Sequence, residues 1–309
     1  MKAAVIHSFG SADVLTLEDV AVPTPAGGEV LVQVHAASVN PADYKIRSGQ
    51  YAAAKQEAPP LILGRDVAGT VETCGAGVAG FRRGEAVYAL LDREHGGYAE
   101  YTIVNERDLA RKPASLDYTE AAAVPLAALT AWQGLFDHGA LKSGRHVLIH
   151  GGAGGVGHFA IQFAKSAGAK VSTTVSGRDF EFVRELGADS PVDYHSERFE
   201  DLVHDVDLVF DLVGGPTQDR SWSVLKRGGT LISSRGKPDE NTARKHGVRA
   251  ANFLTKQSAS QLEEIGRLID EGKVRPHVEV VYRLADVRSA QQRLEHEHVR
   301  GKVVLEVAP

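Results

Sequence analysis

Apolar and polar residues alternate along 30–34, which predicts a strand with one face buried. Further short strand patterns fall at 67–71 and 85–91. Turn signals at Gly27-Gly28, Gly75-Ala76-Gly77 and Gly96-Gly97 separate them. Many short strands with Gly-rich turns predict a β-rich, barrel-like domain over 1–117. From Ser115 the pattern changes. Asp117-Tyr118-Thr119-Glu120 opens an Ala-rich helix, and strand and helix patterns alternate over 118–257, with a strand at 207–212, a helix at 217–225 and a strand at 229–233. That alternation predicts a doubly wound parallel sheet, so the fold class is α/β. The tail, 258–309, reads as a helix at 260–271, a strand at 278–282, a helix at 285–295 and a strand at 302–307, and it is expected to return to the first domain.

The most informative segment is Val147-Leu148-Ile149-His150-Gly151-Gly152-Ala153-Gly154-Gly155-Val156-Gly157. An apolar run of strand length meets a glycine cluster and then a helix pattern. Val156, Phe159, Ala160, Phe163, Ala164 and Ala167 fall at helical spacing. Gly152, Gly154 and Gly157 fit G-x-G-x-x-G, which makes a tight turn, admits a pyrophosphate close to the backbone and packs helix on strand. The helix start would face the phosphates with free N–H groups and a positive dipole end. Ala153, Gly155 and Val156 belong to the same loop.

Residues 170–175 read as the next parallel strand. An NAD-selective chain carries an acidic residue after it to bind the ribose 2′-hydroxyl. Here Ser176-Gly177-Arg178 stands in that place, and a hydroxyl with a guanidinium suits a 2′-phosphate. NADPH is therefore the expected cofactor. Asp179 is expected to cap a helix over 180–186. Val213-Gly214-Gly215 and Ser233-Ser234-Arg235-Gly236 end two later strands. Ligands of open parallel sheets bind beyond the carboxyl ends of strands, so Val213, Gly214, Ser233 and Arg235 are expected to border the cofactor.

Composition narrows the picture further. The 309 residues carry a net charge of −5, with 35 Lys+Arg against 40 Asp+Glu, which argues against an electrostatic nucleic-acid surface. Cys74 is the single cysteine, so neither intrachain disulfides nor a cysteine-based zinc site is expected, and a reducing cytoplasm fits. The segment 1–7 has no signal-peptide core and reads as a first strand. The longest apolar stretch, 121–132, contains Pro125 and Thr130 and is shorter than the roughly 20 residues a membrane helix needs. Glu295-His296-Glu297-His298 suggests metal ligands, but residues two apart do not share a helix face, so a solvated helix end is expected.

Leu148-x-x-x-Gly152-Ala153-Gly154-Gly155-x-Gly157-x-x-x-x-Gln162-x-x-Lys165 is similar to the quinone oxidoreductase signature. Asn40-Pro41-Ala42-Asp43-Tyr44-Lys45-Ile46-Arg47-Ser48-Gly49, Gly64-Arg65-Asp66-Val67-Ala68-Gly69, Gly84-Glu85-Ala86-Val87-Tyr88, Gly97-Tyr98-Ala99-Glu100-Tyr101 and Leu129-Thr130-Ala131 extend the likeness along the chain. The sequence resembles the zinc-independent quinone oxidoreductase, zeta-crystallin-like branch of the medium-chain dehydrogenase/reductase superfamily. That resemblance implies a GroES-like catalytic domain, a Rossmann domain and a cleft between them. Zinc-containing relatives carry a Cys at the place of Asn40 and Gly-His-Glu at the place of Gly64-Arg65-Asp66, so a metal-free enzyme is expected.

Without a Lewis acid, an electron-poor conjugated acceptor suits the chain better than a simple alcohol. Hydride addition to a quinone or α,β-unsaturated ketone puts negative charge on a carbonyl oxygen, which hydrogen-bond donors can stabilise. Asn40, at the metal-ligand position, is expected to turn its amide to the nicotinamide, with Lys45 and Tyr51 on the same loop as donors or proton relays. The resemblance further implies Thr130 beside the nicotinamide ribose, Tyr194 beside the 2′-phosphate and Phe253 lining the substrate cleft. Each has a plainer alternative: a helix-interior hydroxyl, strand packing and interdomain core. A small-molecule acceptor, no nucleic acid, no membrane and a cytoplasmic location complete the expectation, and a homodimer is left open. An enoyl-thioester reductase and a cofactor-sensing binding protein are the competing readings.

Overall fold

The computed structural model describes residues 1–50 and 59–307. Two compact units divide the chain. The first holds Met1–Leu126, Gln257–Gly272 and the chain from Pro276 on, and the second holds Ala127–Lys256 with Lys273–Arg275. In the first, β1 (Lys2–Ile6), β2 (Leu15–Asp19), β3 (Glu29–Val39), β4 (Leu61–Ile62), β5 (Asp66–Cys74), β6 (Ala86–Leu90), β7 (Tyr101–Asn105) and β8 (Leu109–Arg111) follow in turn. The second holds β9 (His146–His150), β10 (Lys170–Val175), β11 (Ser190–Asp193), β12 (Val206–Asp211), β13 (Leu225–Ser233) and β14 (Arg249–Asn252). The tail then adds β15 (Val278–Arg283) and β16 (Lys302–Glu306) to the first unit.

β3 organises the first unit. It pairs antiparallel with β5, β7 and β16, and β1 forms a smaller sheet with β2 and β4. Val30, Val32, Val34, Val67, Val87, Leu109, Val303 and Leu305 meet in its core. β3 is covered more fully than its alternation predicts, because Leu31 is buried along with its neighbours. The helix Tyr118–Ala122 opens with Asp117 accepting the Glu120 N–H, as its sequence predicts, and buries Ala121 and Ala122 against β3 and β5. Residues 118–126 therefore belong to the first unit, although the sequence pattern grouped them with the parallel sheet.

The second unit is a six-stranded sheet in the order β11-β10-β9-β12-β13-β14, parallel throughout. In spatial terms the strands run 3-2-1-4-5-6, the doubly wound Rossmann order. Val147, Leu148 and Ile149 on central β9 are fully buried, the continuous apolar run expected of a strand covered on both faces. The helix Gly157–Ser166 lays Phe159, Ala160, Phe163 and Ala164 into the core. β14, with the sequence Arg249-Ala250-Ala251-Asn252, escapes a pattern reading because it is mostly exposed and carries no apolar run. Among the described residues no helix is long and apolar enough to cross a membrane.

Candidate active site

Three neighbouring strands of the first unit bring together residues far apart in sequence. In the β16-β3-β5 register Val303 faces Val39 and Ser38 faces Asp66, so Lys302, Asn40 and Asp66 cluster where those strands meet. Lys302 Nζ donates to Asn40 Oδ1 at 2.6 Å and approaches Asp66 Oδ2 at 3.4 Å. Asn40 Nδ2 donates to Asp66 Oδ2 at 2.8 Å, with a long contact of 3.4 Å to the Ser38 carbonyl. Asp66 also accepts from the Ser38 hydroxyl at 2.6 Å and from the Leu126 N–H at 2.7 Å. Asn40 and Lys302 are each 3 % exposed, and Asp66 is fully buried. The Asn40 amide expected to face the nicotinamide is thus held at both ends by the protein. The cause is the buried ammonium, which must donate, and the buried carboxylate, which must accept.

Asn40 also starts the Pro41–Arg47 helix, which carries Lys45 half-buried on its side. That helix is pinned at its far end by Arg47. The guanidinium is buried and donates to Gln291 Oε1 at 2.6 Å, Glu295 Oε2 at 2.7 Å and the Gly10 carbonyl at 3.2 Å. Glu295 is therefore not the solvated residue its sequence suggests. Tyr51 lies outside the described residues.

Asp43, in the first turn of this helix, accepts the Asn40 N–H at 2.7 Å and the Tyr98 hydroxyl at 2.8 Å through Oδ2, while Oδ1 is buried without a partner. Burial pushes its carboxyl up to about 6, against the lowering effect of those two donors, with Asp66 raising it further and Arg65 opposing. The fold therefore favours the protonated acid. That contribution is complete below the usual carboxylate range near 3.8 and is lost as pH rises through about 6. Asp43→Asn keeps the Oδ2 acceptor and removes the titration. Relative to wild type, the variant should gain about 2 kcal/mol of stability between pH 4 and pH 7, as urea denaturation across that range would read. A stability difference that stays flat with pH would contradict the assignment.

In the second unit, all parallel strands point their carboxyl ends the same way, and the glycine loop follows β9 there. A Cβ on Gly152 would lie 2.1 Å from Thr173 Oγ1, and one on Gly157 would lie 2.2 Å from the Gly151 carbonyl oxygen. Both glycines are required by the protein's own packing. Gly154 is different, because its nearest neighbour to a Cβ is the Gly151 oxygen at an ordinary 3.5 Å. Nothing in the protein demands glycine there, which fits a place kept clear for a ligand. Ala153 is buried, Gly155 is half-buried, and Val156 precedes the first turn of the Gly157–Ser166 helix.

The loops around this turn are braced by two buried residues that the sequence reading missed. His150 is fully buried, with Nδ1 3.0 Å from Thr174 Oγ1 and Nε2 2.9 Å from Ser221 Oγ. Burial pushes its imidazole down to about 4, so it is neutral when it ties β9 to its neighbours. Asp211 closes β12 by accepting the N–H groups of Val213 at 3.0 Å and Gly214 at 2.8 Å, the Gln218 amide at 2.8 Å and the Ser233 hydroxyl at 2.9 Å. The Ser233 oxygen then accepts the Arg235 N–H at 3.1 Å. Val213-Gly214 and Ser233-Arg235 are therefore held as one assembly.

After β10, Ser176 is buried and Arg178 is exposed. Asp179 occupies the position before the Phe180–Glu185 helix but makes no capping bond, since it is buried and its backbone already turns. Across from Val175, Asp193 ends β11 with its carboxylate shared between two loops, accepting from the His195 N–H, the Ser196 hydroxyl and the Gly177 N–H. Tyr194 is 54 % exposed, with its ring beside His195, so it is not a strand-packing residue. The Thr130 hydroxyl lies 2.7 Å from that of Thr255. Phe253 is buried in the second unit, stacked on His138 at 4.7 Å and near Phe210 at 6.4 Å.

The donor sets decide what each region could hold. The second unit fits a dinucleotide: a glycine turn with one glycine that the protein's own packing leaves open, a helix N-terminus, and a hydroxyl and guanidinium at the next strand end. The Asn40 cluster does not fit zinc. It offers no thiolate or imidazole, and an ammonium already occupies the oxygen of Asn40. Arg65 turns aside to bond the Leu91 carbonyl through Nε and Nη2 at 2.9 and 2.6 Å. Among the described residues the one grouping of metal-ligand types is Asp92, Glu94 and His95, where Asp92 already accepts the N–H groups of the other two.

Residues 26–114 match the alcohol dehydrogenase GroES-like domain, and residues 186–305 match the zinc-binding dehydrogenase family. The chain is 37 % identical over 321 residues to the NADPH-dependent alkenal/one oxidoreductase, chloroplastic, of Arabidopsis thaliana, covering 100 % of this chain and 80 % of the relative. It is equally 37 % identical to the 2-methylene-furan-3-one reductase of Solanum lycopersicum, over the same shares. The quinone oxidoreductase of Coxiella burnetii superposes with a TM-score of 0.94 at 37 % identity, over 100 % of this chain and 99 % of that one. The Escherichia coli quinone oxidoreductase complexed with NADPH gives 0.91 at 27 %, over 99 % and 100 %. With a GroES-like sheet unit, a Rossmann unit and a cluster at the metal position that rejects zinc, the chain belongs to the medium-chain dehydrogenase/reductase superfamily, in its zinc-independent quinone oxidoreductase branch.

Proposed function

We propose that the protein is a zinc-free, NADPH-dependent reductase of α,β-unsaturated carbonyl compounds and quinones, acting in the cytoplasm. The observation that carries this reading is the Lys302–Asn40–Asp66 cluster. Its buried ammonium and acceptor set replace a Lewis acid, so an acceptor activated by its own conjugation is the one the site can reduce. The relatives named for alkenal/one and furanone reduction, and those named for quinones, support it.

When bound, NADPH supplies the hydride. The turn at Gly152, Gly154 and Gly157 and the following helix start would hold its pyrophosphate, and Ser176 with Arg178 its 2′-phosphate. Tyr194, the Asp211-braced Val213-Gly214 and Ser233-Arg235 segments, and Thr130 complete the cofactor set. As charge builds on the acceptor's carbonyl oxygen, Lys45 and the second N–H of Asn40 are the donors assigned to it. Lys45 also carries a proton that the enolate or quinolate can take.

The test is a steady-state screen of NADPH oxidation with quinones, short enones and the matching saturated aldehydes and ketones, with and without a chelator. Turnover of the conjugated acceptors alone, unchanged by chelation, is expected. One tightly bound zinc per chain whose removal abolishes activity would sink the reading, as would best turnover with saturated carbonyls.

A further inference from the structure

Lys302 has no place in the family motifs quoted above, yet its ammonium is almost fully buried and makes the shortest contact to Asn40. We infer that Lys302 is a positioning residue for the reduction, setting the orientation and donor strength of the Asn40 amide from behind. This rests on the reductase reading given above.

An amide can be flipped without changing its shape, so something must decide which end faces which way. An ammonium has three donors and no acceptor, and a carboxylate is acceptor only. Lys302 therefore claims Oδ1 and Asp66 claims Nδ2, and the reverse arrangement would set donor against donor and acceptor against acceptor. The Lys302 contact, at 2.6 Å, is shorter than the 2.9–3.0 Å usual between neutral groups. Withdrawing electron density from the amide oxygen makes both Nδ2 hydrogens stronger donors, since bonded chains polarise one another. One of those hydrogens goes to Asp66 at 2.8 Å. The other has only the 3.4 Å contact to the Ser38 carbonyl, too long for a full bond, and is the one an acceptor oxygen can take. Asp66 balances the ammonium, and its remaining lone pairs are filled by the Ser38 hydroxyl and the Leu126 N–H. The cluster is thus closed except at the hydrogen that chemistry needs.

The strand register explains why this lysine can serve. Lys302 opens β16 directly before the Val303–Val39 pair, so its side chain is delivered to Asn40 by the sheet rather than by a flexible loop. Its Cα is fixed, and only its four-carbon stem needs ordering.

The experiment compares Lys302→Met, Lys302→Gln, Asn40→Ala, the Asn40→Ala/Lys302→Met double variant and the charge-neutral pair Asp66→Asn/Lys302→Met, each read for melting temperature, NADPH affinity, kcat and KM. Lys302→Met should lower kcat about tenfold with NADPH affinity unchanged, the lower end of the cost of losing an orienting partner at metal sites. Lys302→Gln, which keeps a donor to Oδ1, should recover part of that loss. The double variant should be no slower than Asn40→Ala, because both changes remove the same interaction. If removing the ammonium alone leaves an unfolded protein, the neutral pair carries the test. It should melt near wild type yet remain slow. Losses that multiply in the double variant, or wild-type kcat in the neutral pair, would make Lys302 a structural residue only and overturn the inference. A wild type that reduces no conjugated acceptor would instead bring down the functional reading, and this inference with it.

Discussion

Gly154→Ala is expected to leave the protein folded and to weaken NADPH binding by roughly ten- to a hundredfold. The added methyl meets nothing closer than 3.5 Å within the chain, so stability should hardly change. It projects instead into the space where a pyrophosphate must approach the backbone. Forcing a methyl into a packed contact costs about 1–3 kcal/mol, and 1.4 kcal/mol is a factor of ten in affinity. Gly157→Ala makes the opposite prediction. Its Cβ would lie 2.2 Å from the Gly151 carbonyl oxygen and 2.7 Å from Gly152 Cα, both backbone atoms that cannot swing aside. That variant should lose on the order of 3 kcal/mol of stability or fail to fold. Urea denaturation and NADPH titration of the two variants separate these outcomes. A destabilised Gly154→Ala, or one that binds NADPH as wild type does, would remove the ligand-facing role from Gly154.

Arg178→Ala should weaken NADPH binding by about one to two orders of magnitude and leave NADH almost untouched. A charge-assisted hydrogen bond to the 2′-phosphate is worth roughly 1.5–3 kcal/mol, and NADH lacks that phosphate. Arg178 is exposed, so the contact is screened and the difference between cofactors should narrow at high salt. Ser176 is buried at the strand end, so a bond from its hydroxyl to the phosphate would be screened less. Titrating both cofactors into wild type and variant at two salt concentrations reads the effect. Equal losses for NADH and NADPH would mean that Arg178 supports the loop rather than the phosphate.

What the sequence makes legible is what lies close together along it. The glycine turn, the buried strand before it and the helix after it occupy one continuous stretch, and their physical requirements are local: Gly157 must be glycine because Gly151 is beside it. The alternation of strands and helices in the second unit is local in the same sense. Helix starts such as Asp117 follow from residues three apart. Cooperation between distant segments is harder to read. Lys302 is separated from Asn40 by 262 residues and from Asp66 by 236. A lysine opening an apolar strand looks like a solvated strand end, and only the pairing of β16 with β3 turns it inward. Asp211 looks like one more strand-end carboxylate until its bonds to Val213, Gly214, Gln218 and Ser233 are seen together. Phe253 likewise stacks on His138, a residue distant in sequence that its own surroundings do not announce. Asn40 stands out in the sequence as a polar residue before a helix, but its partners Asp66 and Lys302 cannot be read from its neighbours in sequence.

The central claim is that hydride from NADPH reaches a conjugated acceptor without a metal. Its most direct test is turnover of a short enone with NADPH carrying deuterium at the transferred position, in the presence of a chelator, followed by location of the label in the product. Deuterium on the β-carbon of a saturated ketone, at a rate the chelator does not change, is the predicted result. Deuterium on the carbonyl carbon of an allylic alcohol, or turnover that disappears with the chelator, would contradict it.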